Sequence, residues 1–224
     1  LRFRRNLLVN DGEAARLRAR VAHRGTADVM AVPPLVKPPP YRARQYGGAP
    51  EFVFVGLLSL PHNEDGVRAF LTDVWPLVLG RMPKARLRII GRDCGPELAE
   101  IVGRQGESVT LEGYVADLTE VLSSAAGLVN YLRFGSGIKL KVIEALGRGL
   151  PVVSTNIGAD GFATGTEHGV LVADQAEQFA EALCDLTDPA RNRAVSEGAR
   201  GQFGTMYARD AVFACYDQAF AIGR

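Results

Sequence analysis

The apolar residues of this chain change period several times along its length. "EFVFVGLL", beginning at Glu51, is a short and nearly continuous apolar run, the pattern of a strand buried on both faces. In "NEDGVRAFLTDVWPLVLGRM", which follows, Val67, Phe70, Leu71, Val74, Leu77 and Val78 recur at helical spacing. The strand pattern returns in "ARLRIIG", "SVTLEGYV", "GLVNYL", "PVVST" and "GVLVA". Helical stretches separate them, among them "PELAEIVGRQ" and "DLTEVLSSA", the latter with Asp117 as cap and Glu120 three residues on. Helices "DQAEQFAEALCDL", "PARNRAVSEGARGQF" and "ARDAVFACYDQAF" fill the remainder. Alternation of this kind predicts an α/β fold, a Rossmann-like parallel sheet with helices on both faces. Ligands in such folds sit outside the carboxyl ends of the strands.

Upstream, "NLLVNDGEAARLRARVA" reads as a strand and a helix, with Asn10 and Glu13 at capping-box spacing, and "ADVMAVPPLV" as a second strand. "KPPPYRARQYGGAP" has no period and reads as a linker with a semi-rigid polyproline part. The expected division is a βαβ unit over residues 1–37, a linker over 38–50 and the main body over 51–224. Of the 224 residues 47% are hydrophobic, enough for a core without staples, and a net charge of +1 makes the chain no polyelectrolyte. The basic "LRFRR" reads as a solvated strand flank, so no nucleic-acid partner is expected. Cys94, Cys184 and Cys215 are far apart and odd in number, which points to a reducing, cytoplasmic compartment. No apolar run approaches the roughly 18 residues of a membrane span. The chain opens without methionine in what reads as the middle of a structure, and a fragment is expected.

The candidate chemistry lies in "FGSGIKLKVIEALGRGLPVVST", Phe134 to Thr155. A loop with Gly135, Ser136 and Gly137 follows the strand "GLVNYL" and opens onto a helix containing Ile138, Lys139, Lys141 and Glu144. Free N–H groups and the dipole at a helix start attract an anion such as phosphate. Two residues without Cβ let a ligand approach the backbone. With the helix starting near Gly137, Lys141 shares its face and Glu144 lies roughly 10 Å along it, a span that fits a diphosphate and a ribose diol. Lys139 then faces away, unless the first turn is irregular. The competing reading is a glycine-rich turn and a surface Lys141–Glu144 pair. The run is neither G-x-G-x-x-G nor a Walker A loop, which argues against a dehydrogenase or a P-loop enzyme.

The body resembles the C-terminal, nucleotide-sugar-binding domain of a GT-B glycosyltransferase of the retaining group 1 family (family 4), in the branch with a "PxNxD" loop after the first strand. The residues that carry the likeness are "FVGLLSLPHNEDGVRAFLTDVWPLV", "PKARLRIIGR", "VTLEGYVADL", "YLRFGSGIKLKVIEALGRGLPVVST" and "HGVLVAD", in the family's order. The first 37 residues are similar to the last part of the family's N-terminal, acceptor-binding domain, with Asn10 at a serine position. The resemblance implies that Glu144 holds the ribose hydroxyls. It places Ser136 where many members carry a first glutamate, eight positions earlier. The family's Arg and Lys after the first strand are absent from "GLLSLPHNEDG", which leaves the phosphates to Lys141, with Lys139 or Arg133, and to the helix start. Arg133 reads equally well as a solvated loop residue. Gly91, Arg92 and Tyr114 match the base pocket, Tyr114 being alternatively a core aromatic, and Gly158 matches a loop bordering the donor.

The activity so implied is transfer of a sugar, with retention, from a nucleotide-diphosphate sugar to an acceptor glycan, lipid or small molecule. No cofactor and no metal are implied, and no acid–histidine cluster has metal spacing. The N-terminal domain is implied as a partner, separate chain or not, with a location in the cytoplasm or at the inner membrane face. The alternatives are a nucleotide-sugar-binding module without transfer activity and a GT-B-fold sugar-nucleotide epimerase. No catalytic residue is assigned. His62 sits where it could reach the cleft; His23 and His168 read as structural or solvated.

Overall fold

The computed structural model describes residues 5–22, 28–36, 44 and 46–220. His23 and most of the polyproline linker lie outside the described residues. At the start, strand β1 (Arg5–Leu8), helix α1 (Asp11–Val21) and strand β2 (Asp28–Ala31) form a small parallel pair with its crossover helix. The Asn10 side chain caps α1 by accepting the Glu13 N–H at 3.2 Å.

The body follows as β3 (Glu51–Val55), α2 (Pro61–Ala69), α3 (Trp75–Arg81), β4 (Arg86–Ile90), α4 (Pro96–Gly103), β5 (Val109–Gly113), α5 (Thr119–Ser124), β6 (Gly127–Asn130), α6 (Leu140–Gly147), β7 (Val152–Ser154), β8 (Val170–Val172), α7 (Ala176–Asp185), α8 (Pro189–Met206) and α9 (Arg209–Phe220). Six strands pair in the order β5-β4-β3-β6-β7-β8, all parallel. The chain starts at β3, winds outward through β4 and β5, and returns to β6 on the other side of β3. The point where the winding reverses therefore lies between β3 and β6, and the crevice there is the favoured ligand position of such a sheet.

Alternate residues of the central strand feed two cores. Phe52 and Phe54 pack with Phe70, Trp75 and Phe179 on one face. Val53 packs with Leu128, Val142, Ile143 and Leu146 on the other. The sequence predicts one helix between β3 and β4; the structure interrupts it with a π-helical turn, Phe70–Val74. Pro76 has no N–H to offer the Thr72 carbonyl, and the Trp75 N–H reaches back to the Phe70 carbonyl instead. A second correction concerns α5, whose cap position is Leu118; Asp117 accepts the Thr119 N–H at 2.8 Å from one place earlier.

The N-terminal unit is tied to the body. Asn10 donates to the Asp160 carbonyl at 3.3 Å, Arg16 pairs with the Asp160 carboxylate at 3.1 Å, and Arg5 donates to the Ala219 carbonyl. Among the described residues no helix is long and apolar enough to cross a membrane.

Candidate functional site

Two loops flank the crevice, one after β3 and one after β6. The second holds the glycines. Gly135 has φ +124° and Gly137 φ +75°, conformations that side chains rarely adopt. Neither can begin a right-handed helix, and α6 starts only at Leu140, with Lys139 extended at the cap position. This corrects the expected helix phase. Lys139 does not face away: it is buried, and its Nζ turns back to donate to the Gly137 carbonyl at 2.5 Å and the Ser136 carbonyl at 3.3 Å. The irregular first turn makes Lys139 a clamp on the glycine loop. A methyl at Gly137 would meet nothing within 4 Å, so the loop's outer side is open.

Lys141 reaches across to the first loop. Its ammonium donates to Asn63 Oδ1 at 2.7 Å and lies 4.2 Å from the centre of the Phe54 ring. Asn63 is itself fixed, donating to the Leu57 carbonyl at 2.9 Å. A methyl at Gly56 would stand 3.2 Å from the Lys141 nitrogen, so the cation sits under the end of β3. The family's cations after the first strand are missing from the sequence, and a cation delivered from α6 occupies that neighbourhood. Burial, helped by Lys139, pushes the Lys141 pKa down to about 7. His62, in the first turn of α2, lies against Gly135, where a methyl would be 3.6 Å from its Cβ. Burial, then Lys141, then Lys139 hold its imidazole below the usual range.

Beside Gly56 opens a hollow of about 240 Å³ at the carboxyl ends of β3, β4 and β5, lined by Gly56, Gly91, Arg92, Tyr114 and Leu118 among others. Gly91 and Gly56 are there for close backbone packing: a methyl on Gly91 would fall 1.8 Å from the Gly56 carbonyl oxygen. Tyr114 is 70% exposed and is no core aromatic; the Arg92 guanidinium lies 5.6 Å from its ring centre. Glu144 does not line the hollow but is joined to its α5 side through Arg148. Its carboxylate pairs with Arg148 at 3.2 Å, and Arg148 donates to Thr119 Oγ1 at 3.1 Å, next to Leu118 of the hollow. The surface Lys141–Glu144 pair is thus replaced by two other pairs, Lys141–Asn63 and Glu144–Arg148.

Comparison with known proteins fits this arrangement. The family model described as "Glycosyl transferases group 1" matches residues 49–188. The chain belongs to the group 1 glycosyltransferase family. An uncharacterized 44.6 kDa protein in the cps region of Klebsiella pneumoniae is 31% identical over 143 residues, 60% of this chain and 36% of that protein. Among solved structures, TarM superposes with a TM-score of 0.77 at 15% identity, over 96% of this chain and 43% of its own. The pneumococcal O-GlcNAc transferase GtfA, solved with UDP and GlcNAc, superposes at 0.74 with 17% identity, over 96% and 44%. The chain therefore spans less than half the length of these proteins, and the structural likenesses establish the fold.

Of the residues expected at the site, Gly135, Ser136, Gly137, Lys139 and Lys141 gather at the crevice, Gly91, Arg92 and Tyr114 share the hollow beside it, and Ile138 instead packs against the core of Val53, Leu128 and Val142. Glu144 is joined to the α5 side of the hollow through Arg148. Arg133 is engaged elsewhere, in a two-bond ion pair with Asp65 of α2. Gly158 is a packing glycine; its carbonyl accepts from Asn130 at 3.0 Å, and a methyl there would come within 2.5 Å of Asn130 and Ser154. The sequence reading misses Asn63 and Arg148. Arg148 carries a signal in its four-residue spacing from Glu144; Asn63 is the asparagine of the "PxNxD" loop, but nothing local points to its partner, 78 residues away. Among the described residues no three acids, histidines or cysteines cluster as a metal site.

Proposed function

We propose that this chain is the donor-binding part of a glycosyltransferase that moves a sugar from a nucleotide-diphosphate sugar to an acceptor. The observation that carries the reading is the crevice between β3 and β6. A positive-φ glycine loop with an open outer side lies there beside Lys141, which has no carboxylate partner among the described residues, and a hollow adjoins it. Lys141, Lys139 and the loop take the diphosphate, Glu144 the ribose, and Arg92 with Tyr114 the base. Chemistry in such a cleft is mostly positioning and stabilisation of the leaving diphosphate.

Support comes from the family and from the complexes of relatives: GtfA was solved with UDP and GlcNAc. One feature favours a second reading, binding without transfer: Ser136 offers the donor sugar no carboxylate. Calorimetric titration with nucleoside, monophosphate and diphosphate tests the first reading, with binding expected in the absence of metal. Glu144→Ala is expected to weaken nucleoside and diphosphate binding by roughly 1–3 kcal/mol, the scale of a charged hydrogen bond. Equal affinity for both proteins removes Glu144 from the site. Incubation with nucleotide sugars and an acceptor panel separates transfer from binding alone and from epimerisation of the donor.

A further inference from the structure

Three basic side chains from two elements lie near one another at the glycine loop: Lys139 from the cap of α6 and His62 from the first turn of α2 touch the loop itself, and Lys141 from the first turn of α6 stands beside it under the end of β3. Their charges repel one another. The acids nearest His62 on its own helix are already committed, Asp65 to Arg133 and Glu64 to Arg68 at 3.1 Å. Lys139 is hydrogen-bonded to backbone carbonyls, with Asp160 and Glu13 acting on it at longer range, and Lys141 is hydrogen-bonded to an amide oxygen. The loop side facing His62 is Gly135, which brings no charge and no bulk.

We propose that His62 is a donor-site residue that binds the diphosphate as an imidazolium, taking up a proton as the diphosphate enters. The proposal rests on the donor-site reading above and adds to it a residue and a proton. In the free protein burial, the Lys139 ammonium and the charged form of Lys141 all disfavour an imidazolium, and the neutral form is favoured. A diphosphate on the loop brings two or more negative charges between His62 and the lysines, so the sign of the local field reverses. The ring then gains a proton from solvent, and its N–H donates a charge-assisted hydrogen bond to a phosphate oxygen. No covalent bond changes; the balance is one proton taken from buffer for each diphosphate bound. Histidine suits this role because its ordinary pKa lies where a modest change of field moves it across neutrality.

The test is calorimetry with uridine and uridine diphosphate at pH 7, in two buffers of different ionisation enthalpy. Wild type is expected to take up about half a proton or more per diphosphate and none with uridine. His62→Gln is expected to lose a measurable share of that uptake, Lys141 with its pKa near 7 supplying the remainder, and to bind the diphosphate roughly 3- to 30-fold more weakly, with uridine unaffected. A variant that takes up as many protons as wild type overturns the proposal and assigns the proton to Lys141. In parallel, the ring protons of the three histidines can be titrated by NMR in the wild-type protein. The His62 signal is expected to titrate at higher pH with uridine diphosphate present than without it. An unmoved signal overturns the proposal with no variant needed. Absence of any diphosphate binding by wild type overturns the donor-site reading itself, a result distinct from binding without proton uptake.

Discussion

Lys141 has neighbours that decide its chemistry. An amide oxygen and an aromatic face stabilise an ammonium, though more weakly than a carboxylate would, and burial disfavours the charge. With its pKa down at about 7, against an ordinary value near 10.5, the folded protein releases this proton earlier than the unfolded chain does. Between those values the unfolded state holds more protons, so stability conferred through this group rises with pH. Thermal unfolding from pH 7 to 9 is expected to show wild type gaining on Lys141→Met, with a slope of at most about 1.4 kcal/mol per pH unit, the effect of one proton. Parallel curves for the two proteins would place the lysine in solvent. Lys139 has another role: removing it frees the carbonyls of Ser136 and Gly137 and loosens the loop.

At the scale of elements, the six body strands and their helices are legible in the sequence because each strand is short, apolar and punctuated, and parallel strands buried on both faces leave little ambiguity. The start of α6 is not read correctly, for a reason visible in the same motif. Two glycines one residue apart signal room for a ligand and also positive φ, and positive φ postpones the helix by a turn. The phase of every side chain in that turn follows from it, and Lys139 moves from the back of the helix to the inside of the loop. The π-helical turn before Trp75 has its signal in Pro76, but a mid-pattern proline is compatible with a kink, a break or a bulge. The Glu144–Arg148–Thr119 chain joins two helices whose packing no local pattern encodes. Gly137→Ala is expected to cost about 1–2 kcal/mol in thermal unfolding, because its backbone is left-handed while its surroundings are empty. An unchanged melting temperature would mean that the loop relaxes to an ordinary conformation.

On the scale of the whole molecule, the crevice between β3 and β6 is bordered by one sheet, and the small β1–α1–β2 unit stands apart as its own parallel pair. Two ties link them: Asp160, which holds Asn10 and Arg16 at once, and the Ala219 carbonyl, which accepts from Arg5. A GT-B cleft is completed when two domains close on it, and this chain covers 43% of TarM. The polypeptide alone is expected to bind a nucleoside diphosphate and to transfer no sugar at a measurable rate when assayed against an acceptor panel. Efficient transfer by the purified 224-residue chain would show that its own surfaces complete the cleft.

The single tryptophan, Trp75, is fully buried between Phe52 and Phe70, with its indole N–H on Ser108 at 3.1 Å. It belongs to the core on the α2–α3 face of the sheet, and no part of it reaches the glycine loop or the hollow. As an optical reporter it is therefore specialised. Its emission follows the integrity of that core and carries little information about what occupies the crevice. On the proposed donor-site reading, exposed Tyr114, with the Arg92 guanidinium over its ring, is the chromophore that would sense an incoming base, and its weaker signal would separate occupancy from unfolding.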